Sequence, residues 1–408
     1  MSDRLLVSFR VFLVAWTGAV LAHFTYVQAK TDWGARTLEW NPTNLWDPMY
    51  FGVLNATFVA VPFFLFQLPI AKRYGGWSSS VGRALISLGV GTTLWGLGNF
   101  YWFVKNVQGT EAPYPSLADA GYLAVLPFAA YSLWELAKVV GLSGRDWKWL
   151  PLALAIAFPV NAYIMLPQGV GAGTFDTPLS TAISTTYILS DVVLLGISIL
   201  VAVGARRAAG GRFFAPVLAV TVSIVLLYVG DLFFNYRIAN EIFYNAEISD
   251  LLYGAFIIAS SAAAYLFLVA DIRASAAVEE DDWTFELHTD TGPTGPELPP
   301  LHELATAILR GQERVMGEQA ARGIARNVQG VEIDPALDVA TAIDTVAIDA
   351  LVREFRSIAG PLGEMACWTS ARPVFARHPE LQVSSLARFR TDAAPASGRV
   401  AAPVGAAR

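Results

Sequence analysis

The chain has 408 residues, of which 54% are hydrophobic and 15% are charged. Soluble proteins average about 25% charged residues, so this composition excludes an ordinary soluble protein and favours a membrane protein. Residues 1–270 contain 15 Lys and Arg against 14 Asp and Glu, whereas residues 271–408 contain 13 Arg, no Lys and 20 acidic residues. The net negative charge of the second part disfavours nucleic acid and anionic lipid as its partners.

Eight apolar segments are long enough to span a bilayer, whose ~30 Å hydrocarbon core needs about 20 helical residues. The first one follows Arg4 and Arg10 but lacks a cleavage pattern of small residues, so we interpret it as an uncleaved span. Residues 1–270 are therefore predicted to form an all-α integral membrane domain. The eight segments are residues 8–27, 48–70, 84–104, 117–140, 149–166, 179–203, 213–236 and 249–270.

A short motif, Asp-x-x-Tyr, stands at the start of three of these segments. Asp119 lies 72 residues after Asp47, and Asp191, a degenerate fourth copy, lies 72 residues after Asp119. We interpret this spacing as four tandem helical hairpins, each with the motif at the outer end of its second helix. The three complete copies are Asp47 with Tyr50, Asp119 with Tyr122, and Asp250 with Tyr253.

The motif aspartates have a structural interpretation that needs no ligand. Ser116 and Asp119 have the spacing of a capping box, and Asp47 precedes a proline as an N-cap residue precedes the first helical position. Asp250 follows a serine and suits a first helical turn, where a carboxylate interacts favourably with the helix N-terminus. Helix capping therefore accounts for all three aspartates, and a role in binding is the alternative.

The basic residues predict the orientation of the spans. One set of loops contains twelve of them and the opposite set contains four. Both termini are therefore expected in the cytoplasm, with the Asp-x-x-Tyr motifs facing outward from a cell (inner) membrane. The smaller set is Lys30, Arg36, Lys105 and Arg237.

Asp231 and Asp191 are harder to explain as helix caps. Asp231 lies in the outer half of the seventh segment, near a helix C-terminus, where the macrodipole disfavours an anion. The sequence around Asp231 aligns with the sequence around Asn99 in the third segment, each ending in Gly followed by the polar residue. Asp191 lies either near the middle of the sixth segment or, if the repeat register holds, at the start of its helix.

Other polar residues also occur in the outer halves of the segments. Polar groups are costly in hydrocarbon, so two hypotheses remain: a polar cavity open to the outside, or hydrogen bonds between helices that only fix their packing. The candidate ligand-binding residues are Asp191, Asp231, Asn99, His23, Asn161 and Tyr187.

Several classes of site are excluded. No lysine lies deep in a segment, which excludes a retinal Schiff base, and His23 is the only histidine in the segments, which excludes a bis-histidine haem within one chain. The lone Cys367 excludes an intrachain disulfide and a Cys-based zinc site. No nucleotide-binding, protease or hydrolase motif is present. We expect neither catalytic activity nor a metal site, and the sequence names no cofactor.

The C-terminal part is predicted to be soluble. Residues 271–300 are acidic at first and then rich in Pro and Gly, which is typical of a flexible linker. Residues 301–378 contain apolar residues at helical spacing and predict a small, mainly helical cytoplasmic domain. Residues 379–408 are rich in Ala, Pro, Ser and Arg, and we expect them to be disordered.

The stretch from Pro113 to Asp119, followed by Tyr122 and Leu123, reads P-Y-P-S-L-A-D-A-G-Y-L and comes after an aromatic-rich segment. It resembles the multi-spanning regions found ahead of some bacterial diguanylate cyclases and histidine kinases, which are regarded as sensors. The resemblance implies a prokaryotic membrane sensor. This chain carries no G-G-D-E-F stretch and no kinase signature, so those catalytic outputs are not implied.

Three functions are consistent with these observations. The first is a membrane sensor or anchoring protein, which couples an outer or membrane-soluble ligand to a cytoplasmic protein partner through residues 301–378. The second is a secondary transporter or channel that uses Asp191 and Asp231, since tandem repeats of one orientation occur in carriers. The third is a structural subunit of a larger membrane complex. In each case the chain contacts the lipid bilayer, and a homo- or hetero-oligomer is compatible with the sequence.

Overall fold

The computed structural model describes residues 2–30, 58–108, 110, 113–142, 144–169, 177–209, 211–240, 242, 247–279, 299–333 and 343–392. These residues form an all-helical structure. The helices of the first part are α1 (Ser2–Lys30), α2 (Phe58–Pro62, a π-helical turn Phe63–Gln67, and Leu68–Arg73), α3 (Ser80–Val107), α4 (Leu117–Val139), α5 (Leu150–Gly169), α6 (Pro178–Ala205), α7 (Phe214–Ala239) and α8 (Ile248–Glu279).

Four of these helices are long and apolar enough to cross a membrane: Arg4–Tyr26, Pro178–Ala205, Phe214–Arg237 and Ile248–Arg273, within α1, α6, α7 and α8. The other predicted segments also contain helices, α2 to α5, in the described residues. Apolar side chains that face away from the protein support contact with lipid. On α1, Val7, Val11 and Val14 lie on one helical face and are 59–68% exposed. The helical bundle therefore has the surface of a membrane protein.

The first part has two ends with different chemistry. Asp119 and Asp250 both lie in the first turn of their helices, and both are within electrostatic reach of Tyr122. We call this the motif end. The opposite, basic end carries the loops with Arg73, Arg83, Lys138, Arg145 and Arg212.

Ion pairs hold the basic end together. Glu135, which is 2% exposed on α4, accepts a hydrogen bond from Arg83 at 2.9 Å and one from Lys138 at 2.8 Å. Asp271 on α8 accepts a hydrogen bond from the Nε of Arg73 at 2.6 Å. Asp271 lies in the continuous helix α8, which extends to Glu279. Residues 271–279, which are assigned to the linker from the sequence, therefore continue α8 in the structure. Residues 280–298 lie outside the described residues.

The C-terminal domain is a second group of amphipathic helices. They are α9 (Pro300–Met316), α10 (Glu318–Ala325), α11 (Thr345–Ala359), α12 (Pro361–Arg377) and α13 (Ala387–Asp392). Asp344 caps α11 by accepting a hydrogen bond from the backbone N–H of Ala347 at 2.8 Å. Gly360, with φ 62°, ends this helix before Pro361.

This domain continues beyond the predicted boundary at residue 378. Leu381, Val383 and Leu386 are 9%, 2% and 0% exposed, and Phe389 stacks on Trp368 with ring centroids 5.7 Å apart. Residues 379–392, part of the tail that the sequence predicts to be disordered, thus pack on the domain in the structure through a few well-spaced apolar side chains. Residues 393–408 lie outside the described residues.

The C-terminal domain is packed directly against the basic end. The backbone N–H of Arg212, in the loop before α7, donates to the carbonyl oxygen of Val315 at 2.9 Å. A Cβ atom on Gly211 would lie 2.2 Å from the backbone nitrogen of Gly317, and one on Gly360 would lie 1.8 Å from the carbonyl oxygen of Tyr74. Only glycine permits these two approaches. The domain is thus docked on the helix bundle rather than held apart from it.

Tyr74 lies at the centre of this contact. It is 0% exposed, and its hydroxyl donates to the backbone carbonyl of Phe267 on α8 at 2.8 Å. Its ring packs edge-on against Phe267, with centroids 5.7 Å apart, and lies 6.1 Å from Phe213. Helix α8 also contacts α12 of the C-terminal domain. One helix therefore reaches from the motif end to the docked domain.

Candidate functional site

The motif end begins with helix caps that the sequence predicts correctly for α4. Ser116 accepts a hydrogen bond from the backbone N–H of Ala118 at 3.2 Å, and Asp119 accepts one from the backbone N–H of Ser116 at 2.6 Å. This is the predicted capping box. The second oxygen of Asp119 accepts a hydrogen bond from the hydroxyl of Tyr187 on α6 at 3.1 Å. Asp119 therefore both caps its own helix and joins it to α6.

The motif tyrosines make the same contact twice. Tyr122 on α4 donates to Asn99 on α3 at 2.7 Å, and Tyr253 on α8 donates to Asp231 on α7 at 2.7 Å. The alignment of Asn99 with Asp231, made from sequence alone, thus corresponds to equivalent hydrogen bonds in two helix pairs.

A glycine makes room for each tyrosine ring. A Cβ atom on Gly98 would lie 2.7 Å from the ring of Tyr122, and one on Gly230 would lie 2.8 Å from the ring of Tyr253. Real Cβ atoms do not approach other atoms so closely, so the glycine before each acceptor is needed for the tyrosine to reach it. The unit is therefore Gly-Asn or Gly-Asp on one helix and Asp-x-x-Tyr on the next.

Asp191 and Asp231 form a carboxyl pair between α6 and α7. Their side chains are within hydrogen-bonding reach of each other. Asp191 is 2% exposed, and no ion pair in the described part of the chain involves either residue. A hydrogen bond between two carboxyl groups needs a proton on one of them, because ionised carboxylates only accept. The pair is therefore a place where a proton or a small cation would be held away from water.

The structure has Asp191 at the first of the two positions that the sequence allows. Helix α6 begins at Pro178, so Asp191 lies in the middle of the helix and is not a copy of the motif at a helix start. The residues at the start are Thr177 and Ser180, which form a capping box with a backbone hydrogen bond of 3.1 Å to Thr177 Oγ1. The 72-residue spacing does not mark a repeated helix start, because α5 has 20 residues whereas α3 has 28, so α6 begins earlier relative to the aspartate.

Aromatic side chains connect the two repeated helix pairs. The ring of Trp95 on α3 lies 5.9 Å from that of Tyr122 and 5.7 Å from that of Tyr253. Tyr187, which bonds to Asp119, is also close enough to Asp231 to interact electrostatically. The polar side chains of α3, α4, α6, α7 and α8 thus form one cluster. We define the outer polar cluster as Asn99, Asp119, Tyr122, Tyr187, Asp191, Asp231 and Tyr253.

The other predicted site residues are not placed in this cluster. His23 is half-buried on α1, a helix that packs against α8 through contacts such as Val20 with Gly254. Asn161 lies on α5, but its side chain is outside the described part of the structure. The same holds for Asp47 and Tyr50, which lie entirely outside the described residues. Asp250 is 6% exposed in the first turn of α8.

Sequence reasoning missed three contacts at the motif end. The hydroxyls of Tyr114 and Ser184 lie 2.6 Å apart, which joins the loop before α4 to α6. Burial raises the pKa of Tyr114, although its bond to Ser184 acts in the opposite direction. Glu247 forms an ion pair with Arg237 and accepts a hydrogen bond from Ser249 at 2.8 Å. The sequence signal for the Arg237–Glu247 ion pair is a basic residue at the end of α7 and an acidic residue just before α8.

The described residues contain no group of three or more His, Cys, Asp and Glu side chains that could hold a metal ion. The chemistry of the outer polar cluster consists of carboxyl groups, hydroxyl groups and one amide. Such groups bind a proton, a monovalent cation or a polar ligand through hydrogen bonds. A comparison of the chain with protein families, with curated proteins and with solved structures finds no match.

Proposed function

We propose that this protein is a membrane sensor or anchoring protein with eight spans in four tandem hairpins. In this proposal the outer polar cluster binds an outer or membrane-soluble ligand, and the docked C-terminal domain passes the signal to a cytoplasmic protein partner. Both termini would be cytoplasmic, in a prokaryotic inner membrane. The distribution of basic residues supports this orientation, since they concentrate at the end where the domain docks.

One observation carries the proposal: α8 connects the cluster with the domain. Tyr253, near the start of α8, bonds to Asp231, and Phe267 on the same helix accepts the hydrogen bond of Tyr74 beneath the domain. The two positions are about 21 Å apart along a continuous helix, at 1.5 Å per residue. A ligand that changes the partner of Tyr253 would therefore shift or rotate a helix that the domain contacts directly.

The energy of such a change is sufficient for a switch. A hydrogen bond between membrane helices contributes ~0.6–1.7 kcal/mol, and a ligand shifts an equilibrium only by its differential affinity for the two states. Exchange of the Tyr253–Asp231 bond for a bond to a ligand would thus change a two-state equilibrium by about three- to twentyfold. The buried position of Asp191 adds to this, because any change in the charge of the pair is not screened by water.

The single cysteine provides the test. Cys367, on α12, is 0% exposed and accepts a hydrogen bond at 3.1 Å from Gln312 on α9. Burial raises the pKa of its thiol to about 12. Thiol labelling of the full chain in lipid nanodiscs at pH 8 therefore reports opening of the domain. We expect Tyr253→Phe to increase the labelling rate several-fold, because it removes the hydrogen bond that joins α8 to Asp231 on α7.

The matched control is Tyr122→Phe, which removes the equivalent hydrogen bond from α4 and leaves α8 intact. We expect a smaller change in labelling from this variant. Equal rates for the two variants, or rates equal to that of the unmodified chain, would refute the coupling through α8.

A transporter or channel is the second candidate, and the carboxyl pair favours it. Buried carboxyl groups in membrane helices mark ion and proton pathways. The measurement is proton or sodium flux in proteoliposomes: flux that disappears in Asp191→Asn would favour transport over sensing. Absence of flux in the unmodified protein would remove this candidate.

A further inference from the structure

The basic end contains a cleft between the bundle and the C-terminal domain. Its volume is about 740 Å³, and it opens to solvent. The loop between α4 and α5 forms one wall and α10 forms the other. The charged and polar side chains that line it are Arg145, Asp146, Gln319, Arg322, Arg326 and Asn327.

The floor of the cleft consists of backbone. A Cβ atom on Gly141 would lie 3.1 Å from the carbonyl oxygen of Ala320, and one on Gly323 would lie 3.1 Å from the carbonyl oxygen of Gly141. Because these two glycines bring loop and helix together, the longer side chains project from the two walls above them. The shape is a pocket with a small floor and basic sides.

The charge of the cleft is opposite to that of the domain as a whole. Three arginines face one aspartate, although the C-terminal part of the chain is acidic overall. Arg322 has one ion pair, with Glu318 at 2.5 Å, and its Nε is buried with no hydrogen-bond acceptor in the described part of the chain. A buried guanidinium nitrogen without an acceptor costs free energy. A phosphate oxygen would supply the missing acceptor.

The neighbouring surface is apolar and aromatic. Trp149, Leu152 and Ile156 follow the loop that carries Arg145, lie on one face of the α5 region, and are 53%, 55% and 57% exposed. Lys148 lies over the ring of Trp149 at 5.3 Å. Tryptophan and lysine in this arrangement are typical of the boundary between lipid headgroups and acyl chains. The basic cleft therefore lies where a headgroup would be, beside a surface suited to acyl chains.

We propose that this cleft binds the phosphate group of an anionic phospholipid. Arg145, Arg322 and Arg326 hold the phosphate, and the exposed face of α5 contacts the acyl chains. The lipid then joins the helix bundle to the docked domain. The net charge of the C-terminal part predicts that it avoids anionic lipid. The cleft is an exception, because local charge and geometry decide binding at a pocket.

The test uses the full chain, purified in detergent, and lipid binding measured by native mass spectrometry. Phosphatidylglycerol, phosphatidylcholine and inorganic phosphate are the three probes. We expect phosphatidylglycerol to bind at least tenfold more tightly than phosphatidylcholine, and Arg322→Gln and Arg326→Gln each to weaken it about fivefold. Arg353→Gln on α11, which removes an exposed arginine outside the cleft, should leave the affinity unchanged.

Two further measurements complete the test. Arg145→Gln, in an exposed loop, should give the same loss if an α10 variant fails to fold. Equal affinity for the two lipids, or an unchanged affinity in the arginine variants, would overturn the proposal. Inorganic phosphate that displaces phosphatidylglycerol at equal concentration would show that free phosphate, and not lipid, is the ligand.

Discussion

In both the α3–α4 pair and the α7–α8 pair, a tyrosine near the start of the second helix donates a hydrogen bond to the residue that follows a glycine in the first helix. The acceptor is Asn99 in one pair and Asp231 in the other. Asp231 has a second carboxyl group, that of Asp191, within hydrogen-bonding reach. The Tyr122–Asn99 bond is a contact that any packed helix pair can use. The Tyr253–Asp231 bond is the same contact with an ionisable group as its acceptor.

The second difference lies at the other end of the same helices. Helix α8 continues to Asp271 and Glu279, pairs with Arg73 and contacts α12 of the C-terminal domain, whereas α4 ends at Val139 and contacts α11. Both second helices therefore reach the domain, and α8 is the longer one and the one whose pair has the ionisable acceptor. This coincidence is the reason for assigning the sensing role to α7 and α8.

The largest change in stability is expected when the acceptor of one helix pair is replaced by the acceptor of the other. Asn99→Asp places a carboxyl group at a position that is 5% exposed, beside Tyr122, on which Asp119 and Asp250 already act electrostatically. We expect a loss of ~3 kcal/mol in the free energy of unfolding at neutral pH, because an uncompensated charge is being buried. Asp231→Asn keeps an acceptor for Tyr253 and should cost less than ~1 kcal/mol. Unfolding in detergent micelles measures both, and equal losses would contradict the distinction.

The shared glycines provide the next test. Gly98→Ala and Gly230→Ala each place a Cβ atom against a tyrosine ring. We expect each variant to lose ~1–3 kcal/mol of stability through overpacking. Gly98→Ala should be the worse, since its Cβ would also lie 2.9 Å from the carbonyl oxygen of Ala118, which cannot move aside. A neutral result for both, in the same unfolding assay, would show that the tyrosines reach their acceptors in another way.

Helix caps give a smaller and more uniform effect. Ser116→Ala and Thr177→Ala remove the capping residues of α4 and α6, and each should cost ~1 kcal/mol. Hydrogen exchange of the first-turn amides measures the local effect. Protection factors that change in α4 but not in α6 would indicate that Thr177 does not cap its helix.

The smallest effect is the coupling energy of each tyrosine with its acceptor. A double-mutant cycle with Tyr253→Phe and Asp231→Ala should give ~0.6–1.7 kcal/mol, the range for hydrogen bonds between membrane helices. The cycle with Tyr122→Phe and Asn99→Ala should fall at the lower end of that range, since both of its groups are neutral. A coupling energy of zero for either pair would mean that the bond contributes no stability.

Much of the fold could be predicted from hydrophobic segments alone. The described residues contain a helix at each of the eight predicted positions, because a long apolar run has few other stable arrangements. The alignment of Asn99 with Asp231 was visible because a glycine precedes each. In the structure each of them accepts a hydrogen bond from a tyrosine. The capping box of Asp119 was visible for a similar reason, since its spacing is local.

Contacts between distant segments could not be predicted. Nothing near Tyr187 or Asp119 in the sequence indicates that they bond to each other, and the docking of Tyr74 against Phe267 joins residues far apart in the chain. The same holds for the position of Asp191, because the length of α5 decided where α6 begins. The folded segment around Leu386 could not be predicted either, because the average composition of residues 379–408 is that of a disordered tail. Tertiary packing, and not local pattern, determines each of these features.

The account depends on the motif end and the basic end lying on opposite sides of the membrane. The most direct measurement is labelling of Tyr114→Cys and Arg145→Cys in intact cells with a maleimide that does not cross membranes; both positions are exposed in the structure. The account predicts that position 114 is labelled from outside and that position 145 is labelled only after permeabilisation, with the unmodified chain as the background from buried Cys367. Labelling of both positions from the same side would contradict it.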